Sequence, residues 1–550
     1  MTAKKHTWKD IWIVIGVGIL VLYILFLIYP LFSLLKQSVM GPEGFTTEYF
    51  HKFFAKPYYM NTLWNSFKVS ICATAITLII GVPLAYFYNM YEIKGKGFLQ
   101  IIIILCSMSA PFIGAYAWIL LCGNNGLITN VFRNFLHIKI PSIYGFGGIL
   151  LVLSLQLFPL VFLYVSGAMK NIDNSLLEAA ESMNCTGARR FFRIIVPLCM
   201  PTILAAALLV FMRAFADFGT PLLIGQGYRT FPVEIYNAFF SETGGNYGFA
   251  CATSVIAILI TTVIFLVQKW SSNRFSFTIN ALHPVERKHA KGIFNILIHL
   301  YCYLVVAVAF LPQIYIFYES FRKTSGKAFI PGYSTESYKS AFKVAGNAIK
   351  NTFVIGICSL TIIILLAILI AYLVTRRKNT ISNTIDIMSM LPYVIPGSVV
   401  GISMIMAFNK KPIILTGTLI IMVIALVIRR LPYTIRSSAA TLQQIPITVE
   451  EAAISLGCSK MKAFFKITIP MMMNGIVSGA ILSWVTIITE LSSAICLYTI
   501  RTQTLTLAIY TYVLRGNDGI AAALATILSV TTIISLLIFM KVSKGQDITF

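Results

Sequence analysis

Twelve apolar runs, each long enough to cross a bilayer, recur along this chain of 550 residues and leave little choice of fold. Spanning about 30 Å of hydrocarbon takes about 20 apolar residues in a helix, which satisfies every backbone polar group within the segment. Such runs lie near 11–36, 65–89, 98–122, 147–170, 198–222 and 250–269. They return near 293–318, 351–375, 384–408, 412–431, 471–498 and 520–541. Hydrophobic residues make up 58% of the chain and charged residues 11%, against about 25% charged in soluble domains. The pattern predicts an all-α polytopic membrane protein.

The net charge of +24 does not point to nucleic acid, because the basic residues sit in short clusters between apolar runs. With the amino terminus inside, cytoplasmic segments hold Lys4, Lys5 and Lys9; Lys94 and Lys96; Arg189, Arg190 and Arg193; and Arg287, Lys288 and Lys291. Arg376, Arg377 and Lys378, then Lys460, Lys462 and Lys466, then Lys541 and Lys544 continue the bias, so both termini are expected inside. One loop, 319–350, is basic yet falls outside. The ten cysteines are scattered with no CxxC pair, so no metal site or disulfide framework is indicated. The start "MTAKKHTWKD" precedes a run too long for a cleavable signal and reads as leading into the first transmembrane helix.

The runs repeat as a set. "NSFKVSICATAITLIIGVPLAY" answers "NTFVIGICSLTIIILLAILIAY", setting Asn65 against Asn351 and Tyr86 against Tyr372. At an offset of 273, Pro159 matches Pro432, Glu178 matches Glu451 and Asp217 matches Glu490. The repeat divides the chain into two homologous six-helix halves, 1–269 and 293–550, joined by a polar cytoplasmic linker at 270–292. Parallel repeats imply a pseudo-twofold axis along the membrane normal with a pathway on it, as in transporters.

Between the fourth and fifth runs of each half lies a polar insert: "LEAAESMNCTGARRFFRIIVP" in about 174–197 and "EEAAISLGCSKMKAFFKITIP" in about 446–470. The acid-to-proline distance is 19 positions in both, Glu178 to Pro197 and Glu451 to Pro470. Thr448 can cap a helix whose positive end suits Glu450 and Glu451. Gly457 permits the left-handed residue that ends it, and Asn184 is the next best choice at the matching position. Each insert should make two short amphipathic helices, a knob projecting from the membrane. Phe191, Phe192, Phe464 and Phe465 would also suit a lipid interface.

This grammar resembles the signature loop of permease subunits of binding-protein-dependent ABC importers. The residues carrying it are Glu178, Ala179, Ala180, Asn184, Gly187 and Pro197 in one copy, and Glu451, Ala452, Ala453, Gly457 and Pro470 in the other. Asn184 departs from the usual glycine. The resemblance implies a type I ABC importer permease fold, loops that dock two copies of an ABC ATPase subunit, and an extracytoplasmic solute-binding protein. The chain has no G-x-x-x-x-G-K-[ST] loop, so ATP and magnesium would be used by the partner subunits and no cofactor by this chain. A bacterial plasma membrane is the implied location.

"FADFGTPLLIGQGYRTFPVEIYNAF" and "TELSSAICLY" further resemble fused permeases of ferric-iron importers. Thiamine, polyamine and phosphonate permeases share the design and are the alternatives within the class. An ion-coupled secondary carrier is the alternative from another class, but it has no use for twin knobs. Ferric iron prefers oxygen ligands, so "PMMMNG" at 470–475 reads as helix packing.

Two matched acids fall within the expected fifth spans. Asp217 has Arg213 four residues earlier, where an ion pair along the helix would account for it. Glu490 has Thr486 and Ala494 instead, so its counter-charge must come from elsewhere, with Arg429 and Arg430 nearest in topology. Glu490 is therefore expected to line the translocation path or its gate. In the basic outer loop, Arg322, Lys323 and Lys327 are candidates for docking an acidic lobe of the binding protein.

Overall fold

The computed structural model describes residues 11–542 apart from 42, 136, 139, 242–245, 275–282, 284 and 326–327. Among these residues, nine helices are long and apolar enough to cross a membrane, and two bent helix pairs bring the number to eleven. One more long helix, Leu419–Gln444, carries Arg429, Arg430 and Arg436, which take it out of the apolar class.

The third run of each repeat differs from expectation. It is broken rather than continuous: Lys96–Met108 gives way to Pro111–Cys122, and Thr380–Val394 to Gly397–Phe408, the latter pair bent by 112°. Proline explains both breaks. Pro111 and Pro396 lack the N–H a continuous helix needs and push the preceding residue out of the helical region. Ala110 and Ile395 accordingly have ψ of 126° and 130°. The fifth helices also end earlier than predicted. They end at Phe215 and Ile488, and the short helices Gly219–Ile224 and Ala494–Leu497 come next.

The chain forms two compact units that do not coincide with the halves 1–269 and 293–550. One comprises 1–51, 238–256 and 323–548; the other 52–237, 257–322 and the last two residues. Each repeat's first helix thus belongs with the core of the other repeat. In the first unit, Ile11–Val39 lies on helices of the second repeat, with Trp12 against Tyr372 (4.5 Å between ring centroids) and Phe464 (5.0 Å). In the second unit, Gly292–Ser320 lies on helices of the first repeat, where Tyr301 donates to the Ile80 carbonyl (2.9 Å) and packs on Phe87. These aromatic and hydrogen-bonding partners act across distant sequence, so periodicity could not reveal the exchange.

Matched residues perform matched work in each unit. Asn65 donates its amide to the Arg229 carbonyl (3.1 Å), and Asn351 donates to that of Arg501 (2.9 Å). One residue on, Ser66 and Thr352 accept from the backbone of Phe231 (2.8 Å) and Leu505 (2.7 Å). Both pairs tie a long helix to the loop preceding a later one.

Candidate functional site

The first knob begins with Asp173, whose carboxylate accepts from the Ser175 N–H (2.9 Å) and caps helix Asn174–Ser182. Such a cap contributes about 1 kcal/mol. The second knob's helix, Thr448–Ser455, starts differently from expectation. Ile447 occupies its cap position, and Thr448 is already helical and caps nothing.

Both helices end in the same hydrogen-bonded turn. Cys185 N–H reaches back to the Ala180 carbonyl and Asn184 N–H to that of Glu181, both at 2.9 Å. In the second copy Cys458 bonds Ala453 and Gly457 bonds Ile454, both at 3.0 Å. Asn184 (φ 57°) and Gly457 (φ 88°) supply the left-handed residue that this motif needs. An added Cβ at Gly457 would meet nothing within 4 Å, so the cost of filling the position is purely conformational. Gly457→Val should therefore destabilise the second knob by ~1–2 kcal/mol, whereas Gly457→Asn should be nearly neutral. Thermal melts of the purified protein, or protease sensitivity of residues 448–463, will measure the difference.

Each turn presents an apolar side chain. Met183 is 83% exposed and Leu456, its match at the 273 offset, is 90% exposed. Glu178, Ala179, Glu451 and Ala452 are exposed beside them, while Ala180 is buried and Ala453 partly so. Gly187 begins the second arm with φ 56°. The second arms are not separate helices as predicted: Gly187–Phe215 is continuous, and Lys460–Met471 runs on to a 67° bend before Met473–Ile488. A π-helical turn sits at the same place in both arms, Phe191–Ile195 and Phe464–Thr468, just before Pro197 and Pro470, which are exposed. Within these turns Phe191 packs on Tyr86 (4.8 Å) and Phe464 on Tyr372 (4.7 Å), while Phe192 and Phe465 stay exposed. One aromatic of each pair anchors the arm and the other faces outward.

The knobs are held by ions that sequence reasoning did not single out. Glu450, expected at an exposed helix start, is buried; it accepts from Tyr372 Oη (3.2 Å) and pairs with Arg376 (3.4 Å). In the first copy Leu177 stands in its place, and Glu181 pairs instead with Arg190 (3.6 Å) and with Lys288. The hydrogen bond from Lys288 holds the Glu181 carboxyl below the usual carboxylate range. The partners lie 74 and 107 positions apart, so spacing offered no signal.

The two matched acids lie just past their helix ends, and each caps the next short segment of backbone. Asp217 accepts from the Thr220 N–H (3.1 Å) and Glu490 from the Ser493 N–H (3.0 Å), three residues on in each case. Beyond that they differ. Asp217 does not form the expected pair with Arg213, because the helix ends at Phe215 and four-residue spacing no longer aligns the two side chains. The Thr220 hydroxyl is fully buried beside the Asp217 carboxylate. Glu490, by contrast, accepts from both Arg429 and Arg430, from Ser492 Oγ (2.7 Å) and from Ser493 Oγ (3.1 Å). Arg429 reaches it past Gly397, at the break in the third span, where any Cβ would collide with the guanidinium.

Arg322 is also committed. It donates to the buried Glu319 at 3.0 and 3.2 Å, so it is not a free landing charge; Lys323 is exposed, and Lys327 lies outside the described residues.

A family model described as "binding-protein-dependent transport system inner membrane component" matches the chain twice, over 77–277 and 363–545. The chain belongs to this family. The permease is 27% identical over 532 residues to the ferric transport system permease protein of Actinobacillus pleuropneumoniae, covering 95% of this chain and 77% of the relative. It is 22% identical to an Fe(3+)-transport system permease protein of Haemophilus influenzae, covering 86% of this chain and 88% of the relative. A spermidine/putrescine transport system permease protein of Haemophilus influenzae is 28% identical over 256 residues, covering 45% of this chain and 89% of its own. Fused relatives therefore match along most of the permease, and single-repeat relatives match one half of it.

Proposed function

We propose that this ABC importer permease carries ferric iron, delivered by an extracytoplasmic binding protein, into the cytoplasm by alternating access driven by two docked ATPase subunits. The observation that carries the ATPase assignment is the pair of matched knobs. Each presents an exposed apolar tip, Met183 or Leu456, beside an exposed carboxylate, Glu178 or Glu451. The turns behind the tips are hydrogen-bonded, and the arms continue into or towards the fifth spans, so movement at a tip can reach the membrane core. With the knobs inside, both termini are cytoplasmic and the hairpin Arg322–Ser325 with Ala328–Tyr333 faces outward.

Iron is favoured because ferric permeases match the full two-repeat length, whereas the polyamine relative matches one repeat. An oxygen-lined passage suits a hard ion, and the Asp217 carboxylate beside the Thr220 hydroxyl supplies such oxygens. The test is ATPase stimulation of the reconstituted complex by its cognate binding protein, loaded with ferric iron or with spermidine. Stimulation by the iron-loaded form alone is expected. Stimulation by the spermidine-loaded form alone would move the substrate to the polyamines and leave the importer assignment intact.

A further inference from the structure

By composition the linker between the repeats is a polar connection whose basic residues orient the chain. Within it, His283 and Glu286 are also fastened to the first knob at backbone level. Asn174 N–H donates to the His283 carbonyl (3.0 Å), His283 N–H to Asp173 Oδ2 (3.3 Å), and Glu286 N–H to Asn174 Oδ1 (3.4 Å). The linker thereby holds the capping residue and the first helical residue of the knob. Farther on, Lys288 N–H donates to the Met90 carbonyl (2.9 Å), and Glu92 N–H donates to the Lys288 carbonyl (3.3 Å). That bridge fixes Lys288 to the end of the long helix Pro57–Met90. From there its ammonium reaches Glu181, whose carboxylate is shared with Arg190 of the knob's second arm. His289 adds a contact to Glu92 at 3.0 Å. One carboxylate thus joins both arms of the knob to the linker.

The second knob is built otherwise. The matches of Glu181 and Arg190 are Ile454 and Ala463, which cannot form this junction, and the buried Glu450–Arg376 pair holds that knob from within. We infer that His283 and residues 285–291 of the linker act as a strap that positions the first coupling knob, with Lys288 and Glu181 as positioning residues, so that the two ATPase contacts are mechanically unequal. The Lys288–Glu181 junction is half-exposed and open to ionic screening, whereas the Glu450–Arg376 pair is largely shielded.

The strap is read directly by hydrogen exchange on the full chain in lipid nanodiscs, a measurement that does not depend on ATPase docking. Lys288→Glu should speed exchange of the amides of 174–190 by about threefold, the scale of one exposed ion pair, and leave 448–463 unchanged. Lys288→Arg should restore wild-type exchange. Unchanged exchange in 174–190, or equal acceleration in both knobs, would overturn the strap. Should Lys288→Glu not accumulate, Glu181→Gln carries the same expectation with a smaller increase. The functional consequence rests on the proposed ATPase docking. In the reconstituted complex, Lys288→Glu should lower substrate imported per ATP hydrolysed by about threefold while the ATPase still co-purifies. A wild-type ratio together with accelerated exchange would overturn the mechanical role; a wild-type complex without ATP-driven import would sink the docking assignment itself.

Discussion

Asp217→Asn is expected to insert and fold yet lose uptake by about tenfold, a factor corresponding to ~1.4 kcal/mol, whereas Glu490→Gln should fail earlier, at folded yield. This reverses the roles that spacing suggested. Both acids cap a short segment through the N–H three residues on, and an amide oxygen can accept that bond equally well. Neither change removes the cap. The distinction lies in what else each carboxylate satisfies. Glu490 neutralises two guanidinium groups, and Arg429 reaches it beside Gly397, where no side chain could be accommodated. A neutral glutamine leaves those cations without their carboxylate in a buried site, at a cost of about 3–5 kcal/mol. Among the described residues, Asp217 has no comparable pair of guanidinium groups. Its repeat counterpart to Arg429 is Gln156, whose Oε1 is buried with no hydrogen-bond partner among the described residues. A carboxylate within membrane depth costs at least ~2.5–3.5 kcal/mol, so an acid without a neutralising ion pair is the better candidate for the path. Size-exclusion yield and uptake per folded molecule separate the two effects. Normal transport by Asp217→Asn, with a folded but inactive Glu490→Gln, would return the pathway role to Glu490.

Glu178→Lys combined with Glu451→Lys should reduce uptake at least about a hundredfold and abolish transport-coupled ATP hydrolysis, with membrane insertion unchanged. Both side chains are exposed, so reversal costs the fold little, within about 0.5 kcal/mol per site. Asn174 donates to Glu178 at 2.7 Å, a surface contact whose loss is minor beside the Asp173 cap. The damage falls on the docked face, where like charges would be juxtaposed with whatever basic groups now receive the carboxylates. Either single reversal should retain part of the activity, because the other knob remains intact. Wild-type uptake by the double variant would remove the docking role from these acids.

Local chemistry was legible in the sequence, as was the pairing of Glu490 with Arg429 and Arg430, but most distant pairing was not. The left-handed turns at Asn184 and Gly457 arise from residue type and from the matched spacing around them. The breaks at Pro111 and Pro396 were equally available, since proline inside an apolar run is a local signal, but run length alone concealed them. Glu450 shows the opposite case. Its sequence neighbourhood is that of an exposed helix start, yet Arg376 and Tyr372, on a helix more than 70 positions earlier, draw it inside. The same limit hid Lys288 within a basic cluster whose collective bias explained it well enough. The exchange of first helices between units also depends on specific contacts, Trp12 on Tyr372 and Tyr301 on Ile80, which apolar periodicity cannot express.

The most direct test of an ATP-driven import permease is accumulation in proteoliposomes holding this chain and its ATPase subunits, with ATP enclosed and iron-loaded binding protein outside. The account predicts ferric iron rising inside above its external level, dependent on ATP and on the binding protein, and reduced to background by the Glu178→Lys, Glu451→Lys pair. Accumulation that persists without ATP and collapses when a proton or sodium gradient is dissipated would contradict it, and would make the chain an ion-coupled carrier.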